Sequence, residues 1–364
     1  MLGSLFKNIL TSILLLISLS LYAQPSHNVD LERFITEPYV NTVCPNDSAH
    51  RARKGIIIIG DSGSVRACSP FAYNKTSLVR YANTVNTYRD TFGTDIRVFC
   101  MPIPTSAAFY LPDTSLEWSG DERKAINTMF AALNDSIQPV NIFTTLSQHV
   151  SEAIYSRTDH HWAPLGAYYA AKHFAHVAGV PFTTLDQYDT LSMPGYVGTM
   201  FMYSRDSMVI KSPEDFVYYM PRNAEYTTLY TNYKLDKKRK RVISKGQEHE
   251  GDFFLQNFVN PEKPGASYCV FGGGDSKLIK IRTNVGNGRR LIILKDSFGN
   301  ALTAYLLSSF EEIHVVDCRY FTLNIVKYIN DNGITDILFA NNLTHAQNEN
   351  TTNMYLQYLI QKDM

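Results

Sequence analysis

The chain has 364 residues, 45% of them hydrophobic and 19% charged, which places it among folded globular proteins and outside the disordered and collagen-like classes. Its 34 Lys and Arg balance 34 Asp and Glu, so no whole-chain field exists to hold a polyanion, and nucleic-acid binding is disfavoured. With 23 Tyr, 20 Phe and 2 Trp, aromatic surface is left over from a minimal core and can line a cleft.

In chain order, Lys7 precedes an apolar run from Ile9 to Tyr22 and then Ala23-Gln24-Pro25, the pattern of a secretory signal peptide over 1–23 cleaved after Ala23. Leu21 fits poorly as the small residue preferred before such a cut, and the run is short for a span of about 20 residues; an uncleaved anchor is the alternative, and membrane contact is expected in that case alone. The mature chain is therefore expected in the periplasm or at the cell surface. Five cysteines, Cys44, Cys68, Cys100, Cys269 and Cys318, show no Cys-x-x-Cys spacing, which speaks against structural zinc, and their odd number leaves at least one thiol unpaired.

The unbroken apolar run from Lys54 to Ser64 predicts a strand buried on both faces that starts an α/β core. A second strand is predicted over Ile96–Met101, and helices over Asp121–Leu133, with an acidic first turn, and Leu165–Ala178. From 189 to 284 short aromatic and β-branched runs separated by turn residues predict a β-rich antiparallel insertion. The α/β rhythm then returns: strand Leu291–Leu294, helix Asn300–Ser309, strand Ile313–Val316, helix Phe321–Asn330 and strand Asp336–Ala340, which implies a parallel sheet. Residues 24–188 and 285–364 thus read as the two parts of one α/β domain. The basic cluster Lys237–Arg241 reads as a solvated hairpin turn rather than a polyanion site.

The segment Arg157-Thr158-Asp159-His160-His161-Trp162 concentrates titratable groups between apolar stretches. If it is extended, Asp159 and His161 project to one side, so Asp159 accepts the Nδ1 proton of His161 and leaves Nε2 free as a base, with Trp162 as a shield and His160 facing the other way, where it can pack, hydrogen-bond or touch substrate; Trp162 and His160 both stand as oxyanion-hole or substrate-binding candidates. A nucleophile is available at two strand ends. Ser297, in LIILKDSFGN, follows a buried strand and opens a helix, where backbone N–H groups and the positive helix end can stabilise an oxyanion. Ser62, in Gly60-Asp61-Ser62, is the alternative, but no clear amphipathic helix follows it. Read blandly, Asp-Ser is a helix cap and Asp-His a satisfied core pair. A metal site built on Asp159, His160, His161 and either His149 or His173 lacks ligand spacing, and no metal or other cofactor is expected.

Asp159-His160-His161-Trp162, together with Lys295-Asp296-Ser297-Phe298-Gly299-Asn300 and the run Val315–Phe321, resembles the DHHW protein family, over a stretch from Gly55 to Asn342. Such proteins look related to SGNH-hydrolase-like enzymes of exopolysaccharide acetylation, including periplasmic alginate O-acetyltransferases, whose Asp-x-His-Trp motif precedes the serine. The resemblance implies a circularly permuted SGNH-like α/β fold with Ser297 as nucleophile, His161 as base and Asp159 as its orienting carboxylate, and Gly60-Asp61-Ser62 as a decoy. It also suggests Asn342 for the oxyanion hole, with Asn341 as competitor, and Arg319 as a contact to sugar or acyl oxygen, for which an Asp317–Arg319 ion pair is the alternative. The expected activity is acyl transfer or ester hydrolysis on O-acetyl groups of a bacterial polysaccharide; polysaccharide-assembly proteins are possible partners. The competing expectation is a catalytically silent surface or assembly protein that binds glycan or a partner through residues 189–284.

Overall fold

In the computed structural model, residues 32–238, 241–275 and 277–363 are described, so the signal-peptide reading of 1–23 falls outside them. The apolar run after Lys54 does form a strand buried on both faces. Ile57 and Ile59 join the main core, while Ile56 and Ile58 pack with Val65, Ala67, Met200 and Val209. It does not start the main sheet. Strands β1 (Ala49–Arg51), β2 (Ile57–Ile59) and β3 (Arg66–Cys68) make a small antiparallel sheet in which β2 is central. Hydrophobicity reports burial and is silent on which sheet provides it.

The main sheet has eight strands. Strands β4 (Arg97–Ile103) and β5 (Gln138–Pro139) come first; β6 (Tyr188–Tyr196) and β7 (Glu214–Pro221) follow as a separate antiparallel ribbon. Then come β8 (Tyr226–Leu235), β9 (Val242–Gly251), β10 (Lys277–Thr283), β11 (Arg290–Lys295), β12 (Glu312–Asp317) and β13 (Asp336–Asn342). The spatial order is β5-β4-β13-β11-β12-β10-β8-β9. From β5 to β12 neighbours run parallel; β10, β8 and β9 continue the sheet antiparallel. The helix Phe298–Ala304 carries the chain from β11 towards β12 and the helix Ile325–Asp331 from β12 to β13, as βαβ units require.

Because strand residues alternate in direction, β4 and β13 bury both faces. On one, Phe99 meets Phe174 of the helix Pro164–Ala178, ring centroids 5.3 Å apart. On the other, Phe339 is edge-on to Tyr88 of the helix Lys75–Phe92 at 5.0 Å and to Tyr355 of the helix Glu349–Ile360 at 5.2 Å. At the N-terminal edge the buried carboxylate of Asp336 pairs with Arg97 at 2.7 Å and Arg289 at 2.6 Å, tying the starts of β4, β11 and β13 together. The C-terminal edge is left for chemistry, as in other open α/β sheets. Lys237 and Lys238 are exposed on the β8–β9 hairpin, as is Arg241; Arg239 and Lys240 lie outside the described residues. Among the described residues no helix is long and apolar enough to cross a membrane.

Candidate active site

Strand β11 ends at Lys295, and the chain turns through Asp296 and Ser297 into the helix Phe298–Ala304, with Ser297 at its N-cap. Buried Asp296 fastens this turn: one carboxylate oxygen accepts the Phe298 N–H at 3.0 Å, the other the Asn342 N–H from the end of β13 at 2.7 Å. A Cβ on Gly299 would fall 2.5 Å from Lys295 Cβ, so the turn is tight enough to require glycine. The Ser297 side chain is half-buried, at the strand-to-helix junction expected for it.

Residues 157–161 are bent, not extended. Asp159 Oδ1 accepts both the backbone N–H of His161 at 3.0 Å and its Nδ1 at 2.6 Å, the local turn that aspartate side chains favour. The bend corrects one expectation. His160 does not face away; its ring lies against that of His161, centroids 3.8 Å apart. His161 Nε2 is 2.7 Å from Ser297 Oγ. An ionised Asp159 accepts hydrogen bonds without donating, so Nδ1 carries the ring proton and Nε2 accepts from the Ser297 hydroxyl. Burial pushes the Asp159 carboxyl up, but the His161 ring, the His160 ring and the Thr199 N–H outweigh it and hold it well below the usual carboxylate range.

The bent segment is held by residues that local patterning did not single out. Glu214, at the start of β7, accepts Ser156 Oγ at 2.6 Å, the Thr158 N–H and Oγ1 at 2.7 Å and the Arg157 N–H at 2.9 Å. Thr199 gives Asp159 Oδ2 its N–H at 2.7 Å and its hydroxyl at 2.9 Å. Gly198 permits that approach, since a Cβ there would sit 2.3 Å from Asp159 Cβ. Having donated its hydroxyl proton to Asp159, Thr199 Oγ1 can only accept from His160 Nδ1 at 2.6 Å. Burial, then the neighbouring His161, lowers the His160 pKa to about 4. His160 is thus neutral near pH 7, with its Nε2 an acceptor. Tyr268 stacks on His161 with centroids 3.9 Å apart and planes 5° from parallel, its hydroxyl 3.1 Å from the Ser297 carbonyl. Trp162 is fully buried and donates Nε1–H to the Phe298 carbonyl at 3.1 Å, so it fixes the start of the serine helix from beneath.

The other candidates scatter. Asn342 Nδ2 donates to the Ile103 carbonyl at 3.2 Å and its Oδ1 accepts the Thr344 N–H at 3.0 Å, so the amide ties β4 to β13 and caps the next turn. Asn341 points to the opposite face, where its Oδ1 accepts the hydroxyls of Tyr81 and Tyr355. Arg319 takes the ion-pair alternative: Nε and Nη2 each lie 2.7 Å from Asp317, and Nη2 is also 2.8 Å from Asp275. Asp275, preceded by Gly272-Gly273-Gly274, further accepts Asn300 Nδ2 at 2.9 Å and lies 3.4 Å from Lys295 Nζ. Burial works against its charge, yet Lys295 and Arg319 keep it ionised, below the usual carboxylate range. Ser62 lies in an exposed turn between β2 and β3 of the small sheet. Ligand atoms of Asp159, His160 and His161 fall within 4.8 Å of one another, as a metal would need, but the Asp159 carboxylate and both Nδ1 atoms are already hydrogen-bonded. The arrangement is that of a proton relay ending on an alcohol.

A model of the DHHW protein family matches residues 35–316. Among solved structures the chain is similar to a DHHW family protein from Eubacterium siraeum, at 34% identity and a TM-score of 0.76, over 88% of this chain and 100% of that one. It is also similar to PatB1 from Bacillus cereus, 19% identical with a TM-score of 0.62, over 81% of this chain and 96% of that one in a structure with a sulfonyl adduct. A further PatB1 structure gives the same identity and TM-score, with 99% of that chain covered. No curated protein matches the chain. At the identity seen with PatB1 the likeness is one of fold.

Proposed function

The chain belongs to the DHHW protein family, and from that premise we propose that it is an exported serine acyltransferase or esterase acting on O-acetyl groups of a bacterial polysaccharide. The observation that carries the chemistry is the contact of Ser297 Oγ with His161 Nε2 at 2.7 Å, backed by Asp159 at 2.6 Å, well inside the reach that a nucleophile and its base require. The glycan and the export follow from the family resemblance and the signal-like first 23 residues.

In this mechanism Ser297 Oγ attacks the carbonyl carbon of the acetyl ester as His161 Nε2 takes the hydroxyl proton. The positive imidazole is stabilised by ionised Asp159. Negative charge gathers on the former carbonyl oxygen, for which the Ser297 N–H at the helix N-cap is the proposed donor. Collapse breaks the ester C–O bond, and His161 returns its proton to the departing alkoxide. A sugar hydroxyl or water then gives its proton to His161, attacks the acetyl-serine and restores the Ser297 hydroxyl. Which acceptor arrives decides between transferase and esterase.

The test is turnover of p-nitrophenyl acetate and of acetylated oligosaccharides. Ser297→Ala and His161→Ala are each expected to lose at least about 10³-fold in kcat, and undiminished rates would remove both roles. A fluorophosphonate is expected to label Ser297 on peptide mapping; a label on Ser62 would overturn the permuted arrangement.

A further inference from the structure

We propose that the groove between the end of β12 and the helix Glu349–Ile360 binds a neutral oligosaccharide and delivers its hydroxyl or acetyl ester to Ser297; the delivery rests on the acyl-transfer reading, the binding does not. The groove encloses about 570 Å³, within the roughly 300–1,000 Å³ of small-molecule sites. It is lined by Arg319, Tyr320, His345, Asn350, Asn353 and Gln357 among others. Asn350, Asn353 and Gln357 are three and then four residues apart and so share one helix face; all are exposed. A carboxamide offers both a donor and an acceptor, which is what a row of sugar hydroxyls presents in return.

Charge selects among glycans. The one guanidinium lining the groove, that of Arg319, is shared between Asp317 and Asp275, so it brings no net positive charge to the wall. Such a wall suits neutral sugars over uronates or phosphates. The groove lies at the same sheet edge as the serine: Arg319 and Tyr320 follow β12 and His345 follows β13, the two strands that flank β11, whose end leads into Ser297. Arg319 also bonds Asp275, which accepts Asn300 Nδ2 from the helix that Ser297 opens.

The experiment titrates Ser297→Ala protein, which cannot turn over, with cellohexaose, chitohexaose and a guluronate hexasaccharide by calorimetry and saturation-transfer NMR. A neutral hexasaccharide is expected to bind more tightly than the guluronate, and Asn353→Ala/Gln357→Ala, both exposed positions, is expected to weaken it about tenfold or more, as for two lost hydrogen bonds. Tighter guluronate binding, unchanged affinity in the double variant, or no saccharide binding at all would overturn the groove. The wild-type protein with p-nitrophenyl acetate separates the two readings. Turnover without a neutral-saccharide site at this helix sinks the groove alone, while saccharide binding there without turnover sinks the acyl-transfer step alone.

Discussion

Asp159 accepts two hydrogen bonds from His161 and two from Thr199, one partner on each carboxylate oxygen, and that division makes its replacement informative. In Asp159→Asn the two Thr199 donors select the amide oxygen, which turns the NH2 group toward His161 Nδ1. Nδ1 then accepts, the ring proton moves to Nε2, and the base that faces Ser297 is lost. We expect kcat for an acetyl ester to fall on the order of 10³–10⁴-fold, the scale known for a wrong tautomer in a serine protease triad, with KM little changed. Steady-state kinetics check this; a loss under tenfold would mean that Asp159 does not set the tautomer. Asp159, His161 and Ser297 were legible in the sequence because titratable residues gather in one short segment and a serine follows a buried strand. Thr199, Glu214 and Tyr268 were not. They are common residue types some 40 to 110 positions away from the motif, and only the fold brings them to it. Asn342 stands at the end of β13, the strand beside β11, but its hydrogen bonds are to Ile103, Thr344 and Asp296.

The β6–β7 ribbon shows how an element outside the parallel sheet acts on the site. Its strands flank Val197-Gly198-Thr199 and carry Glu214, so both clamps on residues 156–159 belong to it. Gly198→Ala should therefore act at a distance from Ser297. Its methyl group would collide with the Asp159 side chain, and we expect a loss of at least about 10²-fold in kcat, since such small displacements of catalytic groups are costly. The same substitution at exposed Gly274, whose Cβ meets nothing within 4 Å, is the control, and equal activities would exclude the clamp. The helix Glu122–Ala131 yields a pH prediction. Its Glu122 is 2% exposed and bonded to Thr105, and burial, partly opposed by those bonds, pushes its pKa up to about 8. An unfolded chain releases that proton near 4.5. Between these values the folded state holds more protons than the unfolded one, so stability falls as pH rises, by up to about 1.4 kcal/mol per unit. Glu122→Gln should flatten that slope in urea unfolding at pH 5 to 8; parallel profiles would refute it. This helix was legible from its acidic start, and the βα alternation after 290 from its strict apolar runs. The helix Lys75–Phe92 was not, because much of its buried face is Tyr81, Thr84, Tyr88 and Arg89, residues with polar ends that blur an apolar stripe.

At the scale of the whole molecule, early and late parts of the chain interlock. Strand β13, near the C-terminus, lies between β4 and β11, and Asp336 at its start bonds both Arg97 and Arg289. The site is assembled the same way, from residues 159–161, 199, 214, 268 and 297. Strand neighbours so far apart in sequence leave no local mark, which is why the parallel sheet was legible as a class while the place of β4 within it was not. Removing β13 would open the sheet at its middle and expose Phe99, Tyr81 and Tyr88 to water. Unfolding should then be one event. We expect a single calorimetric transition whose midpoint coincides with the loss of acetyl-ester turnover, and no turnover from a chain ending at Ile334. Two resolved transitions, with turnover lost in the first, would mean that the site sits on a separately folding part; a turnover-competent truncated chain would mean that β13 is dispensable. Coincident loss would instead tie the 2.7 Å contact between His161 and Ser297 to the integrity of the entire sheet.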